Sequence, residues 1–365
     1  MFLIVTRNFP PDVGGIQVLI GNLSKSLLDH GPVKVFAYEH QDSDLYDKKS
    51  LINIERVKGI KLLRKYRKAR LVNNFIKKNS NIRAVFADHW KSLELINQNF
   101  LNKSKIFCLI HGKEINHQKD SSINKRIIKS TNKANFIIAN SNYTKELAIT
   151  LGINSSKIHV INPGINEAKS INNNLKAEAY KLFKDSYPKI ITIGRLEKRK
   201  SHDHVLMSIR NLKNKYPKIK YISIGSGDEE NKLKQLCKEL SIEKEVFFLK
   251  NIDEDFKFAL LNASNLFLMP SRIDKGSVEG FGISYIEAAS YSVGSIGGKD
   301  GGASDAILNK ETGLICDGNN LNSIYDSIIF FFKDNNFKKY GEAAKNYSTK
   351  FYWKDIVKKY LSLIN

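Results

Sequence analysis

Two glutamates, Glu279 and Glu287, bracket the stretch EGFGISYIE. Its glycines allow a tight turn, and the apolar residues that follow it read as the start of a helix. If that helix opens near Gly282, Glu279 lies in the loop just before the N-terminus. Glu287 then sits in the helix, roughly 7 to 8 Å along an axis that rises ~1.5 Å per residue. Between them lie free backbone N–H groups at the positive end of the helix dipole, an arrangement suited to an anion. A carboxylate, an anion cradle and a second carboxylate match, in that order, a sugar, a diphosphate and a ribose.

Other segments carry compatible chemistry. ITIGRLEKRKSHDH ends an apolar run and places Arg195 and Lys200 in the loop after it. Two permanent cations there suit a diphosphate, although a chain with 59 Lys and Arg residues carries surface charge everywhere. His111 directly follows the run IFCLI, where it serves either as a donor to a substrate hydroxyl or as a satisfied structural histidine. Gly14 and Gly15 precede an apolar helix and either admit a close backbone approach to a ligand or simply make a turn. Gly225 and Gly227 in IGSGDEE do not form a dinucleotide fingerprint, and the glycine-dense GGKDGGASDAI reads as a wall of the same site. Asp42–Ser43–Asp44, Asp253–Glu254–Asp255 and His202–Asp203–His204 resemble metal motifs, but their spacing and setting favour loop and helix-start charge, and no metal is expected.

Composition describes a soluble globular chain, with 42% hydrophobic and 26% charged residues in 365. Cys108, Cys237 and Cys316 are far apart and fit a reducing cytosol. The apolar start MFLIV is too short for a signal peptide, and no run reaches the ~20 residues that a spanning helix needs. A cytoplasmic protein is expected, peripheral to the inner face of the plasma membrane if it meets a membrane at all. The net charge of +22 is uneven: residues 1–165 carry 27 Lys and Arg against 12 Asp and Glu. Residues 56–78 hold ten basic residues and no acid, with Leu62, Leu63, Tyr66, Leu71, Val72, Phe75 and Ile76 on an apolar side. This segment reads as an ordinary solvated helix face or as a contact for an anionic membrane surface. No motif or aromatic–basic interleaving supports nucleic acid.

Short apolar runs alternate with helical patterns, which predicts parallel sheets covered on both faces. Strands are expected at 2–5, 33–38, 84–87, 106–110, 136–140 and 159–162, then at 189–194, 220–225, 246–249, 266–270 and 293–297. The two series predict an α/β chain of two Rossmann-like doubly wound domains facing each other across a cleft. The N-terminal domain is expected over 1–168 and the C-terminal one over 180–345. A polar, Asn-rich linker falls at 167–180, and a C-terminal helix at 346–365 crosses back to the first domain. Ligands of such sheets bind beyond the carboxyl ends of the strands.

In register, PPDVGGIQ, IHGKE, ANSNYTKE, HVINPGIN, GRLEKRK, SVEGFGISYIEAAS and GGKDGGASDAI resemble the GT-B glycosyltransferases of the large retaining group 1, or GT4-type, family, in a mannosyltransferase-like form. The resemblance covers almost the whole chain. It implies a hexosyltransferase of glycolipid or polysaccharide assembly that moves a hexose from a GDP- or UDP-sugar to a glycan or lipid-linked acceptor, without metal or cofactor. It implies that Glu279 binds the donor sugar hydroxyls at the reacting centre and that Glu287 binds the ribose. Arg195 and Lys200 match the pair that holds the diphosphate, and Phe281, Gly282 and Ile283 match backbone donors to sugar and phosphate. Gly15 matches a glycine near the phosphate, His111 a histidine near the transferred sugar, and Ile252 the base-contacting loop. The chain departs from the pattern at Lys250, where many relatives have glycine, at Asp305, where glutamate is common, and in the NPG form of residues 162–164. An alternative on the same scaffold is a nucleotide-sugar epimerase or another non-transferase.

Overall fold

The computed structural model describes residues 1–101 and 104–364. The chain divides into two compact units, one of Met1–Gly164 with Trp353–Asn365 and one of Ile165–Tyr352. In the first, the strands are β1 (Phe2–Val5), β2 (Val33–Tyr38), β3 (Asn53–Val57), β4 (Ala84–Ala87), β5 (Lys105–Ile110), β6 (Phe136–Ala139) and β7 (Ile158–Val160). Between them run α1 (Gly15–Leu28), α2 (Ser43–Lys49), α3 (Arg64–Lys78), α4 (Trp90–Leu93), α5 (Ser122–Thr131) and α6 (Asn142–Thr150). The second unit continues with α7 (Asn173–Phe183), β8 (Lys189–Ile193), α8 (His202–Leu212), β9 (Lys220–Ile224), α9 (Glu230–Glu239), β10 (Val246–Leu249), α10 (Glu254–Asn262) and β11 (Leu266–Met269). It ends with α11 (Ile283–Ser290), β12 (Ser295–Gly298), α12 (Ala303–Ala306), β13 (Gly313–Cys316), α13 (Leu321–Phe332) and α14 (Asn336–Ser348). Finally α15 (Trp353–Leu361) belongs to the first unit.

Every strand pair is parallel. The sheet orders are β3-β2-β1-β4-β5-β6-β7 and β10-β9-β8-β11-β12-β13. Each order reverses once, between β1 and β4 and between β8 and β11, and such a switch point leaves a crevice at the strands' carboxyl ends. Two strands, β3 and β13, were not foreseen. Both are edge strands: NIERV is largely polar and half exposed, and GLIC is only four residues long.

The period-2 geometry of a strand sorts the core. Leu3 and Val5 pack on one face of the first sheet, with Val85, Ala87, Cys108 and Ile110, while Phe2 and Ile4 join Phe86 and Phe107 on the other. In the second sheet Leu266 and Leu268 face one cluster, and Phe267 and Met269 the opposite one. Runs buried on both faces are what parallel sheets require. Helix α15 is an integral part of the first core. Its Trp353, Ile356, Val357 and Tyr360 are buried, and the Tyr360 ring meets Phe86 at 5.9 Å and Phe107 at 6.2 Å. Among the described residues no helix is long and apolar enough to cross a membrane.

Truncating Tyr360 to alanine removes a fully buried ring and is expected to cost about 3–5 kcal/mol in urea unfolding of the whole chain. Lys358→Ala, on the exposed side of the same helix, is expected to stay within about 0.5 kcal/mol.

Candidate active site

After β8 the chain turns through Gly194 to Glu197, then through a short 3-10 turn, Lys198–Lys200, into α8. This loop is held from beside β9: Leu196 N–H donates to Ser226 O at 3.0 Å, and Glu229 N–H donates to Leu196 O at 3.1 Å. The glycine-rich IGSGDEE segment therefore serves as a backbone support for the cationic loop. After β11 a second loop leads to Gly282, which caps α11. Gly282 sits at φ 89°, and a Cβ there would meet the Tyr285 ring, so glycine is required. No side chain caps α11 and its first turn holds no acid, which leaves its amides open to an anion. The other glycine-dense loop braces Glu279 from behind, with Gly302 N–H donating to Glu279 O at 2.9 Å.

These two loops meet in a chain of ionic side chains. Arg195 pairs with Glu197 at 3.0 Å, and Glu197 takes Arg199 Nε at 2.8 Å. Arg199 Nη1 reaches Glu279 Oε2 at 2.9 Å, and Lys200 Nζ donates to the same oxygen. Arg195 is 65% exposed, whereas Lys200, Arg199 and Glu279 are largely buried. Lys200 Nζ also donates to Met269 Sδ at 3.2 Å, at the end of β11. Burial alone would raise the Glu279 carboxyl, but Lys200 and Arg199 outweigh it and hold the group at about 2. Burial pulls Lys200 below the ordinary lysine range, opposed by Glu279.

Glu287 stands apart from this chain. It pairs with Lys257 of α10 at 3.3 Å, both side chains being 18% exposed. Ile252, half-buried, lies in the loop that leads into α10. Phe281 is buried, its ring 5.8 Å from Phe351, so its side chain belongs to the core. Ile283 opens α11 and is half-buried.

In the first unit His111 follows β5 and Gly15 opens α1. Gly15 is exposed, and a Cβ there would meet nothing within 4 Å. His111 Nε2 lies 2.7 Å from the Asp88 carbonyl, which only accepts, so that nitrogen carries the proton. The Asp88 carboxylate is buried and accepts from Thr6 Oγ1 at 2.7 Å, Ser92 Oγ at 2.7 Å and Arg7 N–H at 3.2 Å. Lys68, from α3, donates to Thr6 O at 2.6 Å and to Ser92 Oγ at 3.3 Å. Its burial lowers the ammonium to about 8, against the pull of Asp88. His89 is kept neutral, at about 2, first by burial and then by the nearby His111, Arg7, Lys91 and Lys68.

Of the residues singled out in the sequence, the structure thus joins Arg195, Lys200 and Glu279 through two that were not, Glu197 and Arg199. It also adds Lys257 beside Glu287, Asp88 beside His111, and Lys68 in the polar network around Asp88. Asp88 was open to the reasoning that found His111, since it too directly follows a strand. Lys68 was hidden inside a basic run. Among the described residues, no three of His, Cys, Asp and Glu gather closely enough to hold a metal ion.

Known proteins resemble this chain in sequence and in architecture. The family model "Glycosyl transferases group 1" matches residues 175–350, and "Glycosyltransferase Family 4" matches residues 13–169. A GDP-mannose-dependent alpha-(1-6)-phosphatidylinositol monomannoside mannosyltransferase of Mycobacterium tuberculosis is 23% identical over 89% of this chain and 87% of its own. A GDP-mannose-dependent monoacylated alpha-(1-6)-phosphatidylinositol monomannoside mannosyltransferase of Corynebacterium glutamicum is 26% identical over 91% and 88%. The crystal structure of Anabaena Alr3699/HepE in complex with UDP superposes with a TM-score of 0.81, covering 100% of this chain and 99% of that one at 17% identity.

Two substitutions probe these buried charges. The Glu279 carboxyl sits at about 2 in the fold against an ordinary 4.5. Its contribution to stability is complete above pH 4.5 and is lost as pH falls toward 2. Urea melts of Glu279→Gln are expected to show a loss of about 3 kcal/mol at pH 7 and a flatter acid limb. Lys68 has the same slope at higher pH, but its shift costs stability at neutral pH, because burial penalises the charged form. The unfolded chain binds more protons between pH 8 and 10.5, so stability from this group rises with pH across that window. Lys68→Met is expected to remove that rise, worth about 3 kcal/mol in the difference from wild type.

Proposed function

Since this chain belongs to the group 1 glycosyltransferases and has their two-domain α/β GT-B fold, we propose that it moves a hexose from a nucleoside-diphosphate sugar to a glycan or lipid-linked acceptor, with retention at the anomeric carbon and without a metal ion. The observation that carries this reading is the Glu279 carboxylate clamped by Lys200 and Arg199 beside the uncapped start of α11.

The charge arithmetic favours a diphosphate. Three cations and two carboxylates leave the ionic chain with a surplus positive charge, next to amides that favour an anion. As the glycosidic bond lengthens, the leaving diphosphate gains charge, which Lys200, Arg195 and the α11 amides stabilise; each well-placed donor is worth about 3 kcal/mol of the barrier. These cations do the work that a metal ion does elsewhere. Glu279 takes sugar hydroxyls. Glu287, oriented by Lys257, takes the ribose, and Ile252 borders the base. Phe281, Gly282 and Ile283 offer backbone groups. In the first unit, Gly15 leaves room for a phosphate at the first turn of α1, and the His111 ring is offered to the transferred sugar. No carboxylate of the cluster is free to attack the sugar, so the departing phosphate oxygen takes the acceptor's proton on the face it leaves, which preserves configuration.

GDP-mannose is the donor named for the two mannosyltransferase relatives, and the Anabaena structure holds UDP, so GDP- and UDP-hexoses are the donors proposed. The acceptors in those relatives' names are phosphatidylinositol mannosides, which supports a lipid-linked acceptor. The basic, acid-free run of residues 56–78 is the segment we assign to an anionic membrane surface on the cytoplasmic side.

A thermal-shift panel of nucleotide-sugars is expected to single out one base, since a ligand at ~100 times its Kd stabilises by about 2.7 kcal/mol. With that donor, Lys200→Ala is expected to lower kcat about 10²- to 10³-fold while circular dichroism is unchanged. Gly15→Ala, whose added Cβ meets nothing within 4 Å, is expected to keep stability and weaken donor binding. Normal transfer by Lys200→Ala, a product of inverted configuration, activity abolished by a chelator, or conversion of the donor to its epimer without acceptor would each overturn the part of the reading it addresses.

A further inference from the structure

The membrane contact rests on more than charge. We propose that residues 60–66 form a preorganised apolar wedge that inserts into an anionic lipid bilayer. This deepens the reading of residues 56–78 as a membrane-facing segment.

The wedge precedes and opens α3. Ile60 is 71% exposed, Leu62 82%, Leu63 58% and Tyr66 55%. Four large apolar side chains within seven residues of sequence are thus left in water, an arrangement that costs solubility unless something covers them. They are held out by a built turn. Leu63 and Arg64 N–H donate to Ile60 O at 3.0 and 3.1 Å, which closes one helical turn. Arg64 Nε donates to Gly59 O at 2.6 Å and Arg67 Nη1 to Lys58 O at 2.8 Å, so two guanidiniums pin the approach to that turn. Gly59 lies at φ 104°, and a Cβ there would strike the Arg67 guanidinium. The turn therefore depends on glycine and arginine at these positions. Below it, α3 is anchored to the unit by buried Lys68, Val72 and Ile76.

The surroundings select the occupant. Lys61, Lys65, Arg67 and Arg70 are exposed around the apolar tip, Lys58 beside it pairs with Glu39 at 3.3 Å, and residues 56–78 themselves contain no acid. A second copy of the chain would bring the same cations face to face. A nucleic acid would satisfy the cations and leave Ile60, Leu62 and Leu63 wet. An anionic bilayer satisfies both, with aliphatic side chains and the Tyr66 ring among the acyl chains and lysines at the headgroups.

The test is co-sedimentation of the full chain with vesicles of phosphatidylcholine alone or with about a third phosphatidylglycerol. Binding is expected only to the anionic vesicles and is expected to fall with salt. Lys61→Glu with Lys65→Glu is expected to weaken partitioning about fivefold or more per residue, and Leu62→Ser with Leu63→Ser about tenfold or more. The Tyr66→Trp variant is expected to show a blue shift of its added emission on anionic vesicles. All three variants are expected to keep the donor-induced thermal shift. If the charge variants weaken binding while the Leu62→Ser/Leu63→Ser chain binds normally and the new indole does not shift, surface adsorption stands and the wedge is overturned. Equal binding to neutral vesicles, or no binding to either, overturns both the wedge and the membrane reading. So does binding to duplex DNA that the leucine substitutions leave untouched, in place of vesicle binding. None of these outcomes touches the transfer reading, which the nucleotide-sugar assay decides.

Discussion

The second unit is organised around the cost of burying Glu279 together with Lys200. Moving either ion out of water alone costs several kcal/mol, and the pair is tolerated only because each side chain meets further partners. Lys200 has Glu279 and Met269, and Glu279 has Lys200 and Arg199. Arg199 in turn requires Glu197, and Glu197 holds Arg195 at the surface. The local backbone follows from this demand. Lys200 must sit at the end of a tight turn after β8, Glu279 must sit at the end of the loop after β11, and the two strands must be neighbours. The parallel order with β8 beside β11 supplies that adjacency, although the two strands are far apart in sequence.

The surplus positive charge and the uncapped α11 favour an anion nearby, and the most exposed member, Arg195, has the least to lose by changing partner. A diphosphate would compete with carboxylates for the same donors. Arg199 then has a distinct part. In the proposed reaction, were Lys200 to turn to phosphate, Arg199 would keep Glu279 charged and oriented, so that the carboxylate would meet the sugar as an acceptor of hydroxyl protons.

Much of this was legible in the chain. Strands buried on both faces announce themselves as continuous apolar runs, and the residues just after them, Arg195, Lys200 and His111, stand where parallel sheets put their chemistry. The helix start at Gly282 was legible because glycine and an apolar periodicity mark it together. Edge strands β3 and β13 were not, because one solvated flank removes the apolar signal that identifies a strand. Partners were the least legible. Arg199 reads as surface charge until the fold brings residue 279 beside it, and nothing in the local pattern ties Lys257 to Glu287. Pairing across a sheet is a property of topology, whereas local spacing reports only a residue's own element.

The lysines make the same point from the opposite side. By composition they are an undifferentiated excess of positive charge. The fold sorts them into kinds with different physics. Lys200 and Lys68 are stripped of water at the carboxyl ends of the two sheets, where burial lowers their affinity for protons and a carboxylate lies close by. Lys61 and Lys65 remain hydrated around an apolar tip. Helix α3 holds both kinds within two turns: its inward face plugs the base of the first sheet's polar network through Lys68, and its leading turn carries Leu63 and Tyr66 out into solvent. Net charge alone therefore argues neither for a substrate nor for a membrane. What carries each argument is whether the neighbouring surface is a buried carboxylate or an unpartnered leucine.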